Sequence, residues 1–369
     1  MSAVNITAVG LASSLGGIIQ AAAAFRAGIT RAQDLPWVTA HAHDGERQLV
    51  VGHPARPIVE GLDGFAAWLR LALLAWDDCW GSSGVASARL PIQTDGLGFI
   101  LVMPRMQLGR HGWEVDDPGA LLDEHLSAAL LSRVGVAIPP THRSVISCDH
   151  TGVAQAMERA RERLMAGDWR RAVIMAVDSL LDPSSIRWLA EHGRLKGAGN
   201  PNGIAPGEAA VCLVVESPDQ SPMGSVTGVE VMSAAVHPAD FTAPRPSPVE
   251  VAKRCHQVFL QCDESSGSES SESGDRTVDH YLDHTGEEWR ALVWGNLLAM
   301  SVIGRSQHKV WYPAGGFGAT GAASGALGCA LALRAFQRGY AKAADALVWS
   351  TDDSGGTGLI HLRHARHAG

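Results

Sequence analysis

The sequence predicts an α/β protein of stacked helix and sheet layers, assembled from two successive halves. Three features carry that expectation. Short apolar runs of strand length alternate with stretches of helical period, the joints between them are Gly-rich, and a similar set recurs in the second part of the chain. The 369 residues, 46% of them hydrophobic, can bury one large core or two fused smaller ones.

In chain order, residues 4–11 read as a buried strand, residues 10–16 as a Gly-rich turn and residues 18–27 as a helix. Residues 50–80 are helix-rich, and residues 97–103 (LGFILVM) form another apolar run of strand length. The pattern sharpens at Ser144, with a strand SVIS, a polar loop from Cys148 to Thr151 and a helix over 152–166. There Val153, Ala156, Met157, Ala160 and Leu164 recur at helical spacing, charged residues take the opposite face, and Gly167 supplies the stop. A strand over 171–179, a loop with Pro183, a short helix through Trp188, a Gly-rich loop and a strand over 209–217 complete a first half, 1–219. In the second half, 220–369, strands are expected over 229–236, 278–282, 308–312, 346–350 and 359–362, with a helix over 322–339. The similar make-up of the halves points to an internal duplication. The Ser/Glu/Gly run 263–275 (DESSGSESSESGD) has nothing to bury and reads as a mobile loop, and the HLRHARH tail as a frayed terminus.

The net charge of -8 and the lack of a Lys/Arg-dense block argue against nucleic acid or an anionic membrane as the main partner. A small molecule or a protein is expected instead. The opening residues lack the basic region and apolar core of a secretory signal, and no run approaches the roughly 18 apolar residues of a membrane span, so a cytoplasmic protein is expected. Cys79, Cys148, Cys212, Cys255, Cys262 and Cys329 include no CxxC pair, which signals neither zinc nor a disulfide framework. All but Cys148 read as small buried hydrophobes. His142, His280 and His308 have no metal-ligand spacing, and neither metal nor cofactor is expected. Asp178, Asp182, Asp352 and Asp353 read as solvated or turn-capping carboxylates after strands.

Five motifs in order carry a resemblance. ITAVGLASSLG is similar to an ITGxGxxSxxG opening, and SVISCDHTGVAQAMERARERLMAGDWRRAVIMAVDSL to a nucleophile loop with its helix and strand. NPNGIAPGEAAVCLVVE is similar to DGFxxGEGAxxLVLE, GATGAASGALGCALAL to a GHxxGAAG helix start, and STDDSGGTGLI to a closing GFGGTN loop. In this order the motifs resemble the β-ketoacyl synthase branch of the thiolase-like superfamily, over nearly the whole chain. The resemblance implies a five-layered α-β-α-β-α thiolase-like fold of two duplicated halves, paired as a homodimer or with a related thiolase-like subunit.

In such synthases a cysteine at a buried helix N-terminus is acylated, and two histidines stabilise the enolate formed by decarboxylation. Cys148 is the one cysteine at a strand-to-helix junction, but the register is open. Counting back from Gly167 puts His150 at the nucleophile position, whereas matching on Gly152 points to Asp149, or to Cys148 with one inserted residue. The first histidine corresponds to His284, followed by Thr285 and Gly286; Glu287, Glu288 and Trp289 then depart from the pattern. The second falls on Gly318, which offers no imidazole. The resemblance places Thr285, Gly355, Gly356 and Thr357 near substrate. Two functions are expected from this pattern. One is a non-condensing accessory or assembly subunit, similar also to degenerate thiolase-like proteins linked to type VI secretion cargo handling. The other is an active 3-oxoacyl-[acyl-carrier-protein] synthase or acyltransferase forming an acyl-thioester on Cys148, with His284 or His150 as base. Partners would be a related subunit, an acyl carrier protein or a secretion cargo protein.

Overall fold

Apolar runs such as FILVM, VIMAV and VCLVV become strands because both of their faces are covered, so no polar alternation is needed. The computed structural model describes residues 4–41, 47–81, 94–106, 108–111, 116–217, 229–237, 244–265, 277–300 and 308–364. The strands are β1 (Val4–Ser13), β2 (Gln33–His41), β3 (Arg47–Gly52), β4 (Leu97–Met103), β5 (Arg143–Ser147), β6 (Arg171–Ser179) and β7 (Glu208–Glu216), then β8 (Val229–His237), β9 (Val278–Tyr281), β10 (His308–Trp311), β11 (Asp345–Thr351) and β12 (Thr357–His364). β2 and β3 form a separate antiparallel hairpin.

The other ten strands run in the order β10-β9-β11-β12-β8-β1-β7-β6-β4-β5. This order contains the same pattern twice. β4 is parallel to β5 and β6, while β7 is antiparallel to β6 and β1. In the second set β9 is parallel to β10 and β11, while β12 is antiparallel to β11 and β8. The duplication is thus written in strand pairing although the residues of the two sets differ. The sets meet where Val4, Asn5 and Ile6 pair with Val231, Glu230 and Val229.

Side-chain alternation sorts these strands into layers. Val102, Ile174, Val211 and Leu213 of the first set face the same core as Val348, Ile360 and Leu362 of the second. Between them lie the helices Gly152–Met165 and Ser324–Gln337, the first burying Val153, Ala156, Met157, Ala160 and Leu164 as its periodicity predicts. On the outer face of the first set, Phe99, Leu101 and Met175 are covered by the helix Gly64–Trp80 through Trp68, Leu71 and Trp76. On the outer face of the second, Leu347, Trp349 and Leu359 pack against Val251 and Val258 of Pro248–Ser265 and Val293 and Leu297 of Glu288–Ala299. The result is helix, sheet, helix, sheet, helix. The Gly-rich start of Ser324–Gln337 serves packing: a Cβ on Gly328 would stand 2.7 Å from Val348, and one on Gly325 3.1 Å from Val153.

Several sequence expectations need correction. Residues 47–52 are strand, and the helix of that region begins at Gly64. Residues 263–265 of the Ser/Glu-rich run finish the helix Pro248–Ser265; residues 266–275 and the boundary at 219/220 lie outside the described residues. The first part of the tail is strand through His364, with His361 buried and its Nε2 2.7 Å from Asp345, because β12 pairs along its length with both β11 and β8; residues 365–367 lie outside the described residues.

Gly10 offers a test of the layering. It lies on β1 where the helix Gly64–Trp80 crosses, and a Cβ there would stand 2.1 Å from the Ala75 carbonyl oxygen and 2.3 Å from the Cys79 nitrogen. Backbone cannot rotate away as a side chain can, so Gly10→Ala should cost about 1–3 kcal/mol or more. Urea unfolding should show a lower midpoint at unchanged slope; an unchanged midpoint would contradict this packing.

Candidate functional site

The helix Gly152–Met165 begins at Thr151, deep between the two sheets, where its first N–H groups cannot reach water. An anion comes to them from the other half of the chain. Asp352, which has no exposed surface and lies in the turn between β11 and β12, accepts Thr151 N–H at 3.1 Å and Thr151 Oγ1–H at 2.5 Å. The Cys148 thiol donates to the same carboxylate at 3.6 Å and receives Gln155 Nε2–H at 3.2 Å. Burial, and then the neighbouring Asp149 charge, raise the Asp352 carboxyl from 3.8 to about 6, against the helix N–H and Thr151 bonds that lower it. Burial and the Asp352 charge push the Cys148 thiol up to about 12.

Beside this junction is a cavity of about 340 Å³ at the C-terminal ends of strands from both sets. Its lining combines apolar residues, Leu180, Trp188, Leu189, Ile204 and Ala319, with polar ones, Arg110, Asp149, His150, Thr285, Arg290 and Asp353. The polar wall is interlocked. Arg194 holds Glu287 with two bonds, 2.8 and 2.9 Å, and reaches Asp353 at 2.5 Å. Asp353 also receives Arg245 at 3.1 Å and Arg290 at 3.5 Å. Burial alone would raise the Asp353 carboxyl; the three guanidiniums outweigh it and hold the group well below the usual carboxylate range. Arg110 pairs with Asp178 at 2.7 Å, and Asp178 in turn accepts Ala322 N–H at 3.0 Å. His150 is anchored through Nδ1, 3.2 Å from Asp283 Oδ2 and 3.2 Å from Ser324 Oγ. Asp283 accepts Arg290 at 3.0 Å and Thr351 N–H at 2.6 Å, and despite burial these cations and donors keep it low.

Of the residues singled out in the sequence, His150, Asp149 and Thr285 line this cavity. Cys148 lies buried beside Thr151 and Asp352 and is not among the lining residues. His284 also lies off the wall, accepting Gly286 N–H at 3.0 Å and meeting the Tyr312 ring edge-on. Gly355, at φ +82, packs against Arg254 and Pro246; Gly356 and Thr357 are buried as the chain enters β12. Gly318 has φ +72, and a Cβ there would stand 2.8 Å from the His53 ring and 3.0 Å from Gly207. An imidazole has no room at that position. Asp178, Asp352 and Asp353 are not solvated loop carboxylates: the first two are buried, and all three are held by the partners just described. Arg110, Arg194, Arg245, Asp283 and Arg290 were not anticipated. Only the Glu287–Arg290 spacing at a helix start hints at them in the sequence.

The Asp352 carboxyl carries a pH signature. A folded-state value raised above the unfolded one means that the folded protein holds the proton more tightly. The penalty is therefore absent below about pH 4, grows as pH rises and is complete above about pH 6, on the order of 3 kcal/mol. Asp352→Asn should remove this pH dependence, so the stability of the variant relative to the parent should rise from pH 5 to pH 7.5 in urea titrations, whatever constant offset the altered bonds to Thr151 add. A difference that is flat with pH, or one that falls from pH 5 to pH 7.5, would contradict this assignment.

No protein-family model matches the sequence, and no curated protein matches it. Solved structures do. The ishigamide ketosynthase/chain length factor is similar with a TM-score of 0.68 at 19% identity, covering 99% of this chain and 100% of that one. A β-ketoacyl synthase from Burkholderia phymatum STM815 gives 0.72 at 14% identity, with 99% and 100% covered. A type II polyketide ketosynthase solved with its acyl-carrier protein gives 0.73 at 14%, again with 99% and 100% covered. The chain has the thiolase-like fold of the β-ketoacyl synthases and chain length factors.

Proposed function

We propose that this protein is a non-condensing, ketosynthase-like subunit acting as a binding or assembly partner. The observation that carries the proposal is the Asp352 carboxylate at the N-terminus of Gly152–Met165. A condensing enzyme uses that helix end to favour a thiolate. Here a carboxylate has taken the helix end, and burial together with its charge disfavours ionisation of the adjacent Cys148. The missing imidazole at Gly318 adds to this, since loss of one oxyanion donor costs roughly a hundred- to a thousand-fold. An acyl-thioester on Cys148 would require a thiol both exposed and ionised, and burial and charge oppose each. The neighbouring structures that contain a chain length factor or a carrier protein support a related subunit or an acyl carrier protein as partner. A cargo protein of type VI secretion is the adaptor form of the same reading.

With a thiol at about 12, only roughly 10⁻⁴ to 10⁻⁵ of Cys148 is ionised near pH 7.5. Iodoacetamide should therefore label Cys148 no faster than the other five cysteines, and incubation with an acyl-thioester should leave it unacylated, both read by peptide mass spectrometry. Rapid, selective alkylation or a stable acyl adduct at Cys148 would overturn the proposal in favour of an active synthase.

A further inference from the structure

The chemistry still available in the cavity is acid–base rather than nucleophilic. His150 Nδ1 stands 3.2 Å from Asp283 Oδ2. Asp283, its side chain 9% exposed, is paired with Arg290 and Thr351 N–H, and so faces the ring as a carboxylate. A lone pair on Nδ1 would repel it, so the neutral imidazole carries its proton on Nδ1 and its lone pair on Nε2. Ser324 Oγ shares the same nitrogen at 3.2 Å and cannot give its proton to an N–H, which leaves Ser324 unactivated. Nε2 has no partner among the described residues, and His150 lines the cavity. The lining of the same cavity includes Leu180, Leu189 and Ile204, which offer apolar surface to a short acyl chain.

We propose that His150, oriented by Asp283, is a general base that activates water against a short-chain acyl ester or thioester in this cavity. The inference rests on the non-condensing reading, in that no acyl group passes through Cys148. In the step, His150 Nε2 takes a proton from water as the water oxygen bonds to the acyl carbon. The C–O or C–S bond of the leaving group then breaks, and the leaving oxygen or sulfur takes that proton back from Nε2. A carboxylic acid and an alcohol or thiol result; no other reactant is consumed. Asp283 is a positioning residue that fixes the tautomer and the ring plane.

The test uses the full chain with p-nitrophenyl butyrate as the probe. A general base typically contributes a hundred- to ten-thousand-fold, so His150→Ala and His150→Gln should each lower kcat by at least about a hundred-fold while circular dichroism stays that of the parent. Added imidazole should restore His150→Ala at least about ten-fold, which a purely structural histidine would not show. Asp283→Asn should lower kcat by about ten-fold or more at unchanged KM. Three results overturn the proposal. If the parent shows no hydrolysis above buffer, or if folded His150 variants retain it, His150 is no base, and the non-condensing reading stands. If hydrolysis disappears in Cys148→Ala and acyl-Cys148 is trapped in the parent, both readings fall together.

Discussion

The start of the central helix is the point on which the rest of the structure depends. A helix sealed between two sheets presents N–H groups and partial positive charge with no water to meet them. Asp352 supplies the anion from 201 residues along the chain, binding Thr151 through both backbone and side chain. This contact fixes the turn between β11 and β12 against the central helix and adds its charge to the burial that keeps Cys148 a thiol. A buried carboxylate that accepts strong bonds still carries a desolvation cost, which is why its proton is held above the usual range.

The same logic extends around the cavity. Arg194, Arg245 and Arg290 converge on Asp353 and Glu287, so that each charge has several partners. Removing one member would strand the others, which is costlier than the net worth of the pair. The network holds the loops after β9 and β11 against the loop that follows the helix Pro183–Glu191. Because the two strand sets share one topology, equivalent strand ends are brought to a common centre, and residues distant in sequence such as His150, Asp283 and Ser324 meet there.

Much of the fold was legible in the sequence. The run 97–103 and the run 171–179 coincide with β4 and β6, and the helix over 152–166 differs by one residue, because apolar periodicity and the stop at Gly167 are local signals. Gly167 has φ +77, the left-handed conformation that such a stop requires. The hairpin of β2 and β3 is not legible in the sequence: Leu49, Val50 and Val51 are all apolar, and the alternation of exposed Leu49 and Val51 with buried Val50 that marks a strand appears only in the fold. The site was legible in part. His150 could be located by counting from Gly167, yet its pairing with Asp283 and the roles of Arg110 and Arg194 could not, since bonds such as Arg110–Asp178 and Arg194–Asp353, 68 and 159 residues apart, leave no local pattern. Loop position alone marks the carboxylates at 352 and 353 as solvated or turn-capping and says nothing of the burial of Asp352.

The most direct test of the Asp352 and Cys148 relationship is ultraviolet titration of the thiolate in the parent, with the Cys148→Ala signal subtracted. If the buried carboxylate governs this helix end, no Cys148 thiolate should be seen up to about pH 10, and the onset should move to lower pH in Asp352→Asn. A thiolate that titrates below about pH 8 in the parent, unmoved by Asp352→Asn, would contradict it.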